Sequence, residues 1–190
     1  FLCLCIVICG LLVISTKKSF GLKYVTSYNF TPSQLVPVKT KNNAKLMKWS
    51  YSPSWKKDMN LINCRSETMN DKPSFKNAKR CIIFQNGWYE WQRKEKEKIP
   101  YYHYCSSNNF AGLYNNIGCL ILTRNSTDKI SHIHHRQPLL LEDNEICDYL
   151  EGENILNSNA NNDIKFHCVS KEVNNPSNNN PSLINKINFL

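Results

Sequence analysis

The sequence predicts an α+β fold: a single domain dominated by antiparallel strands, with a few short helices. Three observations predict it. The chain has 190 residues, the size of one domain with its own core. Its apolar runs are mostly short, rich in β-branched and aromatic residues, and bounded by Gly, Pro, Asn or Ser. No internal repeat and no obvious linker divides it, so strands and short helices must share one core.

Taken in order, Phe1 to Ile14 is an uncharged apolar run followed by "STKKSFGLKY". It falls short of the roughly 20 residues that span a membrane. Its length suits the apolar part of a targeting leader, while "IVI" and "LLVI" equally allow a buried strand. The expected division is an apolar N-terminal segment over residues 1–15 and the domain over 16–185. "YNFTPSQLVPV" reads as a loop entering an extended edge segment, because proline interrupts a ladder. "LMKWSYSPSW" alternates large residues before a proline-marked turn. "RCIIFQNGWYEWQR" reads as two strands joined by a hairpin turn at Asn86-Gly87. "IPYYHYC", "FAGLY" and "GCLILTR" continue as short strands, with "YNNIG" as a turn. "NSTDKISHIHH" and "NEICDYLEG" are the helix candidates, the first beginning at a capping residue. "IKFHCVSKEV" is a last strand, and an Asn-rich tail follows; the Asn-rich stretches suggest loop expansion rather than function.

The 24 Lys and Arg outnumber 15 Asp and Glu, giving a formal charge of +9. Nucleic acid or another anionic surface would suit this balance, and so would simple solubility. Nine cysteines are an odd number without a C-x-x-C pair or a paired Cys/His zinc pattern. Several lie inside apolar runs ("RCIIF", "GCLIL"), as reduced buried thiols of an intracellular protein do. Asn29 and Asn125 match the glycosylation pattern, which carries little weight without secretion.

Four polar clusters could carry chemistry. In "NCRSET" the residues Asn63, Arg65 and Glu67 could hold an anion or orient a reacting group, or simply form a capped turn. In "NGWYEWQR", Glu90 lies on the opposite strand face from Tyr89 and Trp91. Desolvation would raise its pKa and suit it to acid/base work; a solvent-facing Glu paired with Arg93 is the alternative. In "SHIHHRQP" a metal set would need a third ligand at familiar spacing, which is absent; one catalytic His beside a phosphate-binding Arg136 fits better. In "KLMKWSYSPSWKK", Trp49, Tyr51 and Trp55 alternate with lysines, the composition of a single-strand binding surface or of core anchors among solvated lysines.

The ordered blocks "YNFTPSQ", "MKWSYSPSW", "NCRSET", "RCIIFQNGWYEW", "PYYHY", "FAGLY", "IHHRQP" and "FHCVSKEVNNPSNNNP" resemble the SRAP family, first labelled SOS-response-associated peptidases. The resemblance runs from about Tyr28 to about Leu183 and implies a curved, barrel-like antiparallel core. It implies reaction with abasic sites in single-stranded DNA through an N-terminal Cys. The α-amine of that Cys forms a Schiff base with the ring-opened aldehyde, and its thiol closes a thiazolidine. Position by position, it implies Cys9 as nucleophile and Asn63, Glu90 and His134 as the other catalytic residues. Trp49, Trp55, Arg65 and Arg136 would contact the DNA. Cys9 would become residue one by processing or by a different start. No metal or organic cofactor is implied; the expected partners are abasic single-stranded DNA and replication-associated proteins. The expected state is a monomer in the nucleus, or in an organelle if the leader is real. A self-processing thiol peptidase and a noncatalytic DNA-binding module are the alternatives. The sequence departs from the family pattern at Leu11, where the family has Arg after Cys-Gly, and at Gln137, where it has Met.

Overall fold

The computed structural model describes residues 11–15, 18–19, 21–95 and 97–187. Its strands are β1 Leu11–Ile14, β2 Lys18–Ser19, β3 Leu22–Lys23, β4 Ser27–Phe30, β5 Leu35–Thr40, β6 Ala44–Lys48, β7 Asn63–Arg65 and β8 Lys79–Phe84. They continue as β9 Gly87–Lys94, β10 Glu97–Tyr104, β11 Asn109–Tyr114, β12 Cys119–Asn125, β13 Arg136–Pro138, β14 Leu140–Leu141 and β15 Lys165–Cys168. Among the described residues there are two short α-helices, α1 Asp128–Ser131 and α2 Ile146–Glu151. One sheet has the order β15-β10-β9-β1-β4; the other runs β13-β12-β11-β8-β5-β6, with β7 along β12 and β14 along β11. Both curve around the core without closing into a barrel. Pairing between named strands is antiparallel except for β7 on β12.

The two-residue period of the strands sorts side chains into layers. Leu12 and Ile14 of β1 face Val36, Val38, Ile83, Phe110 and Ile121 in the core between the sheets. Leu11 and Val13 face the other way, onto Tyr89, Tyr102, Val169, Val173 and Leu183. The C-terminal segment therefore roofs the five-stranded sheet. On the far face of the eight-stranded sheet, Ile82, Leu113, Leu120 and Leu122 pack against Ile146 and Tyr149 of α2. A strand covered on both faces reads as an unbroken apolar run, which explains "LLVI".

This revises three expectations. The boundary after residue 15 does not separate two units, because Leu11–Ile14 is an interior strand between β9 and β4. Asn86-Gly87 is not a hairpin turn. It carries the chain from one sheet to the other, since β8 pairs with β5 and β11 while β9 pairs with β1 and β10. The Asn86 N–H donates to the Val13 carbonyl and its Oδ1 accepts from the Ser15 N–H. Gly87 is needed for space, because a Cβ there would run into the Tyr102 ring. The hairpin lies further on, between β9 and β10, with Glu95 in the left-handed region at φ 53°. Finally, β5 is interior despite Pro37. Only Val38–Thr40 pair with β8, so the missing proline N–H falls outside that ladder.

The Asn-rich segments turn out to be fastenings. Buried Asn29 donates through Nδ2 to the carbonyls of Val173, Asn175 and Asn178, at 3.1–3.2 Å, which leaves it unavailable as a glycan acceptor. Asn161 holds both the N–H and the carbonyl of Leu140. Among the described residues all six cysteines are free, and Cys64, Cys81 and Cys119 are buried.

Candidate active site

β12 is the platform. Its Thr123 pairs with Arg65 of β7 on one side and Pro138 of β13 on the other, while Asn125 pairs with Arg136. Residues paired across strands share a face. Ile121 points into the inter-sheet core and Leu122 away from it. Asn63 and Arg65, in register with Ile121 and Thr123, therefore lie on the inter-sheet face; Cys64 packs in the opposite layer. Arg136, in register with Asn125, joins them.

The other sheet supplies Glu90. On β9 it shares a face with Trp88, which belongs to the inter-sheet core, and it is only 3% exposed. The desolvated position, not the solvent-facing one, is the one it occupies. Gln92, next on that face, donates through Nε2 to the His132 carbonyl at 3.1 Å. That bond draws the segment after α1 towards β9. His134, in this segment, is half-buried, and its Nδ1 lies 3.1 Å from both the N–H and the carbonyl of Arg136. Nε2 is the nitrogen that this clamp leaves over. Burial holds the His134 pKa below the usual histidine range; the nearby charges of His135, Arg93 and Arg136 push the same way, against a backbone hydrogen bond. Asn63 and Arg65 on β7 and Glu90 on β9 thus lie on the faces that the two sheets turn towards each other, and His134 follows the segment that Gln92 ties to β9. Acid/base groups, an amide and an exposed guanidinium are the residue types that can bind an anionic substrate and move protons on it.

Two expected DNA contacts are corrected. Trp49 is fully buried, and its Nε1 donates to the Ile62 carbonyl at 3.0 Å; it anchors the core and offers no ring to a base. Arg136 is 4% exposed, and its guanidinium is committed. Nη1 and Nη2 form a fork onto the two carboxylate oxygens of Glu67, each at 2.7 Å. Asn125 Oδ1 and the Thr123 carbonyl accept two more hydrogen bonds at 2.6 Å. The fork holds the Glu67 carboxyl below the usual carboxylate range. Arg65 and Trp55 do face solvent, Trp55 at 62%. Trp55 lines a pocket of about 490 Å³ with Tyr51, Tyr114, Lys45 and Lys79. Cys9 lies outside the described residues.

Gln92 was not singled out by the sequence, and Glu67 only as a member of a polar run with no partner assigned. Glu67 sits within "NCRSET", but its partner is 69 residues away and no local spacing announces it. His132 and His135 are peripheral: His132 packs edge-on against Phe166, and His135 tilts over His134 with ring centres 4.6 Å apart. No set of three or more His, Cys, Asp or Glu side chains among the described residues could hold a metal ion.

The family model for SOS response associated peptidase (SRAP) matches residues 13–176. The chain is 34% identical to the abasic site processing protein YoqW of Bacillus subtilis over 85% of its own length and 87% of the relative's. It is 27% identical to the abasic site processing protein HMCES of Pongo abelii, over 88% and 67%. In the fold it is similar to a crystal structure of a Bacteroides thetaiotaomicron protein, with a TM-score of 0.71 at 21% identity, covering 82% of each chain. A phage-related protein from Bordetella bronchiseptica superposes with a TM-score of 0.68 at 18% identity, covering 86% of this chain and 95% of that one. With a family model spanning most of its length and a relative above 30% identity, the chain belongs to the SRAP family.

Proposed function

We propose that this chain captures abasic sites in single-stranded DNA as a covalent adduct, with Cys9 as nucleophile once it is the amino-terminal residue. The α-amine of Cys9 adds to the ring-opened sugar aldehyde and water leaves, giving a Schiff base. The thiol sulfur then adds to the imine carbon and the nitrogen takes up a proton, closing a thiazolidine. Amine, thiol and aldehyde become one ring plus one water. An α-amine titrates near pH 8, so a useful neutral fraction exists at neutral pH. Glu90 moves protons during sugar ring opening and water loss. His134 presents Nε2 to the ring-opened hydroxyl, Asn63 orients the reacting terminus, Arg65 meets a phosphate, and Trp55 stacks on a base.

One observation supports this reading: both sheets place acid/base or anion-binding residue types, Glu90 on one and Asn63 and Arg65 on the other, on the faces they turn towards each other. Leu11, two residues beyond Cys9, pairs with Tyr89, the immediate neighbour of Glu90. A two-residue tether reaches at most about 7 Å. The names of the relatives, abasic site processing proteins, point to the same substrate.

The test is a chain that begins at Cys9, incubated with a single strand bearing one abasic site. A heat-stable adduct on a denaturing gel is expected, and none with a tetrahydrofuran analogue that lacks the aldehyde. No adduct from protein with a verified Cys9 terminus overturns the reading. Mass spectrometry of the native amino terminus tests whether cleavage ahead of Cys9 exposes it.

A further inference from the structure

We infer that Glu67 is a positioning residue for His134, acting through the charge and the backbone of Arg136. The inference rests on the reading above, in which His134 serves the reaction.

The geometry connects the two in two steps. Glu67 binds Arg136 through both terminal guanidinium nitrogens, so the side chain of Arg136 has one orientation. The N–H and the carbonyl of that same residue both lie 3.1 Å from Nδ1 of His134, so Nδ1 accepts from the N–H when bare and donates to the carbonyl when it carries a proton. Glu67 itself is 41% exposed, lying in the turn that follows β7, while Arg136 is sealed from water. A buried guanidinium keeps its position and its neighbours' protonation only while a countercharge stays with it. Glu67 is that countercharge.

The charged and titratable groups around His134 make the sign definite. His135 stands beside it, Arg93 reaches it from β9, Arg136 follows it in sequence, and His103 lies towards it from β10. Glu90 occupies the facing strand. The formal positive charges of Arg93 and Arg136 are balanced on the Arg136 side by Glu67, the one carboxylate in an ion pair with Arg136 among the described residues. Removing that carboxylate leaves the Arg136 charge uncompensated, which disfavours the imidazolium of His134 and frees its ring to turn.

The experiment uses the chain beginning at Cys9, with Glu67→Gln and Glu67→Asp. Three quantities are read: the rate of adduct formation from pH 5 to 8, the affinity for a strand carrying the tetrahydrofuran analogue, and the titration of the His134 ring by nuclear magnetic resonance, assigned by its loss in His134→Ala. Glu67→Gln is expected to slow adduct formation about ten-fold or more, within the range of acid/base contributions, with analogue binding little changed. Its His134 midpoint is expected at lower pH than in the wild type. Glu67→Asp, which keeps the charge, restores the midpoint even where its shorter reach leaves the rate reduced. A purely structural Glu67 would lower the melting temperature without moving the midpoint, and an unmoved midpoint in both variants overturns the inference. If Glu67→Gln does not fold, the comparison of Glu67→Asp at low and high salt replaces it: screening of a loosened fork lowers the midpoint, and no salt dependence beyond the wild type's overturns the inference. A wild type that forms no adduct sinks the proposed function, while the ring titration still decides the coupling.

Discussion

The two sheets bury charge in opposite ways. The β9–β10 side surrounds a carboxylate with rings: Glu90 follows Trp88 along one face, and Trp88 stacks on His103, which stacks on Phe166. The β7–β12–β13 side instead surrounds a guanidinium with oxygens, from Glu67, Asn125 and Thr123. A carboxylate taken out of water beside rings is a group through which protons can be exchanged. A guanidinium forked onto a carboxylate does the reverse: it fixes the charge and makes the residue a support. Of two charged residues exposed to within one per cent of each other, at 3% and 4%, one is suited to chemistry and the other to holding chemistry in place.

The comparison breaks first at Glu90. Glu90→Gln keeps the shape and removes the proton carrier, so the adduct rate is expected to fall about 10²–10⁴-fold while the thermal midpoint stays or rises. A rate close to the wild type's would return Glu90 to the role of a buried structural acid.

The second prediction concerns the fork's asymmetry. Glu67→Ala strands a buried cation, whereas Arg136→Met strands a carboxylate that can still reach water. Stability loss by urea denaturation is expected at about 3–5 kcal/mol for Glu67→Ala, and clearly less for Arg136→Met. Equal losses would mean that the fork's geometry, and not the burial of its cation, holds that side together.

The third sharpens the ringed side. Burial between Trp88 and Phe166 pushes the His103 pKa down to about 3, so the folded protein resists protonation there. The unfolded chain takes the proton below about pH 6.5. Stability is thus complete above that value and is lost as pH falls towards 3. From pH 7 to pH 5 the loss is about 2 kcal/mol, above the range where most carboxylates titrate. His103→Phe, which keeps the stack, should flatten that slope in urea titrations at the two pH values; an unchanged slope would assign it to other groups, such as His134.

Most of the layering was legible in the sequence because strand period and burial act locally. "FAGLY", the "YNNIG" turn and "GCLILTR" form the β11–β12 hairpin as read, and Gly152 ends α2 in the left-handed conformation. What failed depends on distance. Asn86-Gly87 has hairpin composition, yet its neighbours belong to different sheets. Trp49 and Trp55 have the same flanking chemistry, yet one bridges to Cys119 inside the core and the other stands in solvent. Arg65 and Arg136 look alike as phosphate ligands; only the fold shows that a carboxylate already holds one of them. Glu90 and His134 were assigned acid/base roles through the family resemblance, while Glu67 was noted only as one member of a polar run, because glutamate in a turn is ordinary.

The smallest expected effect separates those two arginines. Arg65 is exposed, with no ion pair among the described residues, so a phosphate on it releases counterions. Arg65→Ala should weaken analogue binding several-fold and lower the salt slope by about 0.7, the value for one contact on a single strand. The deficit is then roughly 2.6 times larger at 50 mM than at 200 mM salt. The paired variant Glu67→Gln with Arg136→Met removes one charge of each sign, and apolar replacement of a buried pair is often tolerated. Its salt slope should equal the wild type's, because a guanidinium already neutralised by Glu67 has no counterion to release. A slope reduced by the same 0.7 would put a phosphate on Arg136 and dissolve the distinction between the support and the contact.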